Sequence, residues 1–155
     1  TGGVSAVAYS VMASPFGFPT RPIAVFSTIT QSDFTTTATP TVTDVSGHTI
    51  AYTATGKETV RLKFNPYYLA STAGAATFIQ IHVRDGSSTI ASKGFNLINA
   101  NYSESPSIEI DYQPTAGAHT FVASCSQNAA GTLKVAGASG SPTVFSVEVL
   151  GKTGL

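Results

Sequence analysis

The chain has 155 residues, and its eight basic and eight acidic residues give a formal net charge of zero at pH 7. Charged residues make up only 10% of the sequence, and no segment clusters lysine or arginine. This argues against nucleic-acid binding, which depends on concentrated positive charge. No apolar run approaches the roughly 20 residues of a membrane helix. The length fits one domain, which we expect to bury roughly 68–70% of its unfolded surface.

Residues 1–22 are predicted to form an extended N-terminal arm. Neither a helical nor a strand period persists there, and three prolines favour extended backbone before them. The start lacks the basic residues of a signal peptide, which favours a free-standing small protein. The apolar arm either packs across its own domain or lies on a neighbouring subunit. For the second case, we predict contacts through Phe16, Phe18, Arg21 and Ile23.

Residues 23–151 are predicted to form a single β-domain, followed by a short tail at 152–155. Short apolar-polar alternations recur with turn signals every 8–12 residues, and hardly any helical pattern is present. About nine or ten strands of this kind indicate an all-β fold, an antiparallel β-sandwich or jelly roll. The predicted strands include 23–30, 41–45, 48–53, 59–65, 77–84, 88–92, 95–99, 132–135 and 143–150, with 67–69 as a helical turn or an irregular loop.

The segment 106–125 gives the plainest strand signal. Ile108, Ile110 and Tyr112 alternate with acidic residues, and a second alternating run ends at Cys125. Pro114-Thr-Ala-Gly117 separates the two runs, which predicts a β-hairpin. A second hairpin turn, of type I′, is predicted at Asp85-Gly86.

No group of residues has the spacing of a known catalytic or metal site. Glu109 and Asp111 project from the same face of a strand, where we expect a solvated surface rather than a pair of catalytic carboxylates. His48, His82 and His119 show no metal-binding spacing and are predicted to be solvent-facing strand residues. We therefore expect no enzyme activity, no cofactor and no metal.

The single cysteine excludes an internal disulfide within these residues. Cys125 lies in an alternating strand, so we expect a small buried hydrophobic residue.

Sugar binding through exposed tyrosines is a further possibility. The candidates are Tyr52, Tyr67, Tyr68, Tyr102 and Tyr112, although the sequence has no tryptophan. Tyrosine can also cover a core with its hydroxyl in water. Both interpretations remain open from the sequence.

Several turn and strand-end motifs resemble, in order, a β-sandwich domain of tailed-bacteriophage virion proteins. Members of that family include minor tail proteins, head decoration proteins and head fibres. The resemblance covers roughly residues 40–151, and one departure is Val149, where the family often has an acidic residue. The motifs are Asp44-Val-Ser-Gly47, the strand 59–64, Ser71-Thr-Ala-Gly74, Val83-Arg-Asp-Gly-Ser87, Pro114-Thr-Ala-Gly-Ala-His-Thr-Phe121, Gly131-Thr132 and Val147-Glu-Val-Leu-Gly151.

The resemblance implies a non-enzymatic virion structural protein. We expect a capsid decoration (cement) protein on the outer capsid surface, which contacts the major capsid protein or other virion proteins as a homo-oligomer such as a trimer. The alternative is a tail or fibre domain that binds a host-surface glycan. A cellular carbohydrate-binding module is a third possibility. Neither nucleic acid nor membrane is expected as a partner.

Overall fold

The strand from Glu58 to Asn65 shows how the sequence produces this fold. Val60, Leu62 and Phe64 have no exposed surface, whereas Arg61 and Lys63 between them face outward, as their alternation predicts. A side chain every second residue on one face is the geometry of a strand that covers a core. The same alternation recurs in the strands around it.

A computed structural model describes residues 4–7, 24–74, 76–100 and 102–152, and the regular elements in these ranges are β-strands. The same ranges contain no helix that is long and apolar enough to cross a membrane. The strands are β1 Val4–Val7, β2 Ala24–Thr30, β3 Phe34–Thr36, β4 Thr43–Ala54, β5 Glu58–Asn65, β6 Tyr68–Ser71, β7 Phe78–Asp85, β8 Ser88–Asn96, β9 Ser103–Glu104, β10 Ile108–Tyr112, β11 Gly117–Gln127, β12 Leu133–Ala136 and β13 Thr143–Lys152.

These strands form three antiparallel sheets. The first sheet has the order β1-β2-β13-β5-β10, the second β4-β11-β7-β8 and the third β3-β12-β6-β9. Buried side chains from all three sheets form one hydrophobic core, so the predicted all-β antiparallel sandwich is confirmed. Edge strand β1 lies within the predicted N-terminal arm, where the sequence indicates no regular strand.

The predicted hairpin at 106–125 is wrong, although both of its strands form. β10 pairs with β5 in the first sheet, whereas β11 pairs with β4 and β7 in the second. The four residues between them, 113–116, therefore cross from one sheet to the other. Tyr112 and Phe121 still meet across the core, with ring centroids 6.1 Å apart.

A bulge changes the predicted course of β4. The sequence predicts two strands separated at Ser46-Gly47, but the structure has one strand of 12 residues with Gly47 at φ +82°. The pairing with β11 shifts at this point. The extra residues reverse the alternation, so that Val45 and His48, three apart, both face the core.

Two shorter features also differ from the predictions. The segment predicted as a helical turn or loop at 67–69 contributes to β6, and the predicted strands 88–92 and 95–99 merge into β8. The hairpin between β7 and β8 forms, but its two central residues are Gly86 and Ser87, and only Gly86 has positive φ. Positive φ at the first central residue alone is typical of type II′, not type I′.

Candidate functional site

The residues predicted to contact a neighbour, Phe16, Phe18, Arg21 and Ile23, lie outside the described residues. Their role stays a prediction. The described part of the chain offers internal polar groups and three surface features. The internal groups determine which side chains are available to a ligand.

His48 is fully buried between two sheets. Its Nδ1 lies 2.8 Å from the Thr28 hydroxyl and its Nε2 lies 2.8 Å from the Thr30 hydroxyl, both on β2. The ring packs edge-on against Phe64, with centroids 5.8 Å apart. Burial lowers the pKa of His48 to about 4, so the imidazole is neutral at pH 7. The predicted solvent-facing position is wrong, because the β4 bulge turns this residue inward.

His82 is also buried, on the outer face of the second sheet. Its ring nitrogens lie 2.7 Å from the Ser92 hydroxyl and 2.9 Å from the Ser126 hydroxyl, which come from the two neighbouring strands. Burial, assisted by the nearby charge of Arg84, lowers the pKa of His82. The outward face was predicted correctly, but the flanking serines close the ring off from solvent.

The pKa of His119 is shifted in the opposite direction from those of His48 and His82. Its Nδ1 lies 2.6 Å from the Asp85 carboxylate and its Nε2 lies 2.8 Å from the Thr115 carbonyl. Burial alone would lower the pKa of His119, but these two acceptors outweigh it and raise the pKa. Because both acceptors favour a ring with two N–H donors, His119 ties the crossing segment before β11 to the end of β7.

Glu58 is held by hydrogen bonds, and Cys125 is held by packing in the core. The Glu58 carboxylate accepts hydrogen bonds from the Tyr52 hydroxyl (2.8 Å) and from the Thr55 hydroxyl and backbone N–H. These bonds, led by the Thr55 hydroxyl, lower the pKa of Glu58 to about 2. Cys125 is fully buried, as predicted, and burial raises the pKa of its thiol to about 12.

The first surface feature is a charged ladder on the outer face of the first sheet. Arg61 donates two hydrogen bonds to Asp111, at 2.7 and 3.0 Å, and this pairing lowers the pKa of Asp111. Lys63 lies 2.9 Å from Glu148 and 3.6 Å from Glu109. The acidic pair on β10 is solvent-exposed, as predicted. Such exposed pairs contribute roughly 0–1 kcal/mol each to stability.

The second feature, which we call the apolar strip, lies beside that ladder, and in it Val25, Ile29 and Val144 flank the paired serines Ser27 and Ser146. Ile29 pairs directly with Val144, and Val25 pairs with Glu148 at the edge of the ladder. The Ile29 side chain is 46% exposed, although its neighbours on the inner side of β2 face the core. One outer sheet face therefore carries three apolar side chains and two serines beside a half whose charges are paired to one another.

The five tyrosines considered for sugar binding divide into two groups. Tyr52, Tyr102 and Tyr112 each donate a hydrogen bond to a carboxylate and pack against a phenylalanine ring. Tyr67 is 45% exposed, and its hydroxyl has no hydrogen-bond partner among the described residues. Its ring lies 5.1 Å from that of Tyr68 at an angle of 63°. Among the five tyrosines, these two are the ones whose rings contact each other.

Two charged residues complete the third feature, which we call the aromatic surface: Tyr67, Tyr68, Lys134 and Asp33. The Lys134 ammonium donates to the Tyr68 hydroxyl at 2.8 Å and lies 3.4 Å from the Asp33 carboxylate. Lys134 and Asp33 were not recognised in the sequence, because 100 residues separate them. Alternation in β12 could have placed Lys134 outward, but not beside Tyr68.

No group of three or more potential metal ligands occurs among the residues that the structure describes. Their buried side-chain nitrogen and oxygen atoms all have hydrogen-bond partners. The buried polar groups of these residues therefore bond to one another or to the backbone, and contact with a partner has to occur through the surface.

No protein-family model matches the chain, and no curated protein matches its sequence. Among solved structures, it is similar to the enzymatically active domain of bacteriophage CBA120 tailspike protein 4, with 15% identity, 93% of this chain covered and a TM-score of 0.30. The chain spans 18% of that tailspike chain.

Two further similarities are equally distant. TmCBM61, solved with beta-1,4-galactotriose, has 13% identity and a TM-score of 0.33, over 93% of this chain and 87% of that one. A chain of the infectious bursal disease virus Gx strain has 12% identity and a TM-score of 0.32, over 92% of this chain and 42% of that one. At these values, function has to be argued from the residues themselves.

Proposed function

We propose that the protein is a non-enzymatic structural component of a bacteriophage virion, and specifically a capsid decoration protein. The observation that carries this proposal is the two-part outer face of the first sheet. Its apolar strip lies beside a charged ladder whose members already pair with one another. The sequence motifs that resemble phage virion domains supply the setting.

A face of this kind is suited to contact with another protein. The apolar strip gains free energy when it leaves water, at about 25 cal/mol per Å². Each charged side chain of the ladder keeps an opposite partner in the contact, because Arg61 and Lys63 pair with its three carboxylates, although one negative charge stays in excess. An interface of standard size buries about 1,600 Å². Repeated at every capsomer, such contacts would resist expansion of a shell without a single strong site.

The interior supports a structural role as well. His48 and His82 are neutral and enclosed, His119 is bound to two acceptors, and the Cys125 thiol is fully buried. A nucleophile needs both access and an activating base. The three histidines instead link segments of the sandwich, and Cys125 packs in the core. We propose the major capsid protein or other virion proteins as partners, with a homo-oligomer such as a trimer as the bound form.

Charge substitution in the apolar strip tests this proposal. Ile29→Asp should lower the occupancy of purified virion shells by at least about tenfold, because it buries an unpaired carboxylate in the contact. The matched control is Ile98→Asp, since Ile98 is also exposed but lies outside the first sheet. Full occupancy by the Ile29 variant would show that this face does not bind the shell.

Deletion of residues 1–20 tests the predicted arm together with edge strand β1, which the deletion removes from the first sheet. If the arm lies on a neighbour, its loss should reduce shell attachment and the oligomeric state measured by light scattering. Attachment and oligomer size equal to those of the full chain would exclude the predicted arm contact, whatever the result for Ile29→Asp.

A tail or fibre domain that binds a host-surface glycan is the second candidate function. The observation that favours it is the exposed Tyr67 ring beside Tyr68. Exposed aromatic rings whose polar groups face water are frequent contact groups at interfaces. The two candidates differ in location, since a decoration protein lies over the shell and a fibre domain lies on the tail.

A further inference from the structure

We propose that the aromatic surface is a binding site for a neutral saccharide, with Tyr67 as the stacking platform and Lys134 and Asp33 as the hydrogen-bonding pair. This inference rests on the second candidate function and gives it a location and a ligand class. It would hold equally for a protein on the shell or on the tail.

The backbone fixes the platform before any ligand arrives. The Tyr67 carbonyl accepts a hydrogen bond from the Ser105 hydroxyl at 2.6 Å, and its N–H donates to the Thr143 hydroxyl at 3.4 Å. Tyr68 begins β6 and holds the Tyr67 ring from one side. Little side-chain freedom is lost when a ligand binds to a ring that is already held, which favours affinity.

The polar pair lies on the same side of the third sheet as Tyr68. Lys134 is opposite Ala70 in the pairing of β12 with β6, and Tyr68 is two residues before Ala70. The exposed residues Thr35 and Ser103 extend this row across β3 and β9. The side chains of Thr35, Ala70 and Ser103 in this row are small, and Lys134 and Asp33 stay 32% and 46% exposed.

Hydrogen-bonding capacity remains on both charged groups. The Lys134 ammonium has three N–H donors, of which Tyr68 and Asp33 take two. The Asp33 carboxylate accepts from the Gly137 N–H and faces Lys134, which leaves free lone pairs. One donor and several acceptors therefore remain available beside Tyr68, whose ring contacts that of Tyr67.

A pyranose matches this arrangement in chemistry. Its C–H face is apolar and can lie on an aromatic ring, while adjacent hydroxyls both donate and accept. The opposite charges of Lys134 and Asp33 cancel locally, so an acidic sugar would gain no net attraction. The aromatic surface is also far smaller than the roughly 800 Å² per partner of a standard protein interface. These properties favour a neutral saccharide over a protein partner.

The test is a glycan array that carries neutral oligosaccharides and sialylated or uronic-acid oligosaccharides, probed with the full chain. We expect binding to at least one neutral oligosaccharide. Its affinity, measured by titration, should fall at least about tenfold in Tyr67→Ala and change little in Tyr67→Phe, which keeps the ring. Lys134→Ala should weaken binding, whereas Lys93→Ala, an exposed lysine on edge strand β8, should not.

Urea unfolding of each variant shows whether it is folded. If Tyr67→Ala does not fold, Lys134→Ala serves as the variant that tests the site. No binding by the wild type, binding of acidic glycans alone, or binding that Tyr67→Ala and Lys134→Ala leave unchanged would each overturn the inference. A protein ligand captured through Tyr67 without any sugar binding would also overturn it. Location on virions is measured independently, so failure here leaves the virion proposal standing.

Discussion

His48 should make the sandwich sensitive to mild acid. The imidazole lies in the core between Thr28 and Thr30, and no acidic side chain is among its hydrogen-bond partners. Protonation would place a positive charge next to Phe64 without a compensating carboxylate. The perturbation is therefore a fall in pH from 7 to 5, compared between the wild type and His48→Gln.

The magnitude follows from the pKa of His48, which is about 4 in the fold against an ordinary value of 6.5. Each pKa unit corresponds to about 1.36 kcal/mol, so the full effect is about 3 kcal/mol. Because the folded-state pKa is lowered, this stability is present above pH 6.5 and is lost as pH falls towards 4. Between pH 7 and pH 5, the loss should be about 2 kcal/mol.

The assay is urea unfolding at pH 7 and pH 5 for both proteins. His82, with a lowered pKa, contributes in the same direction, and His119, with a raised pKa, contributes stability that is lost as pH rises. Both histidines are present in both proteins, so the difference in pH dependence isolates His48. His48→Gln should be less stable at pH 7 but should lose about 2 kcal/mol less on acidification. Equal losses in the two proteins would refute this reasoning.

Three further predictions concern stability. Leu62→Ala should cost about 2–5 kcal/mol, because Leu62 is fully buried. Glu58→Gln should cost about 1–3 kcal/mol, because a neutral amide oxygen accepts weaker hydrogen bonds at the β4–β5 turn than the carboxylate does. The stability that the ionised carboxylate contributes to the wild type should be lost as pH falls below 4.5 towards 2. Gly94→Ala should cost about 1–3 kcal/mol, since a Cβ there would lie 2.5 Å from the Ile79 carbonyl oxygen.

Chemical denaturation measures all three, and each has a comparison within the chain. Val25→Ala on the outer face of β2 should cost far less than Leu62→Ala, and similar costs would contradict the assigned core. Gly140→Ala should be nearly neutral, because a Cβ there meets nothing within 4 Å. A neutral Gly94→Ala would contradict the close approach of β7 and β8. A Glu58→Gln variant as stable as the wild type would show that the carboxylate does not hold the turn.

Local alternation predicted which side chains form the core, but it could not predict how strands pair. Val60, Leu62 and Phe64 are buried as expected, because a period of two is set by the strand itself. β10 and β11 were also recognised as strands. Their pairing depends on contacts with β5, β4 and β7, which are distant in sequence, and so a turn signal between them was mistaken for a hairpin.

The candidate surfaces were harder to predict from the sequence than the core. His48 faces inward only because a bulge at Gly47 reverses the alternation, and Ser46-Gly47 was interpreted as the end of a strand although a glycine within a strand pattern can also mark a bulge. Tyr67 and Tyr68 were among the tyrosines considered for sugar binding. Their companions Lys134 and Asp33 come from separate strands and loops, so the structure was needed to bring the four together.

The central claim is that this sandwich is a structural part of a phage particle. Cryo-EM of purified virions, with copy number from quantitative mass spectrometry, tests it most directly. We expect density for the sandwich at many equivalent positions over the shell, with a copy number that is a multiple of the number of symmetry-equivalent positions in the capsid. Density confined to the tail would contradict the decoration role, and absence of the protein from virions would contradict the claim as a whole.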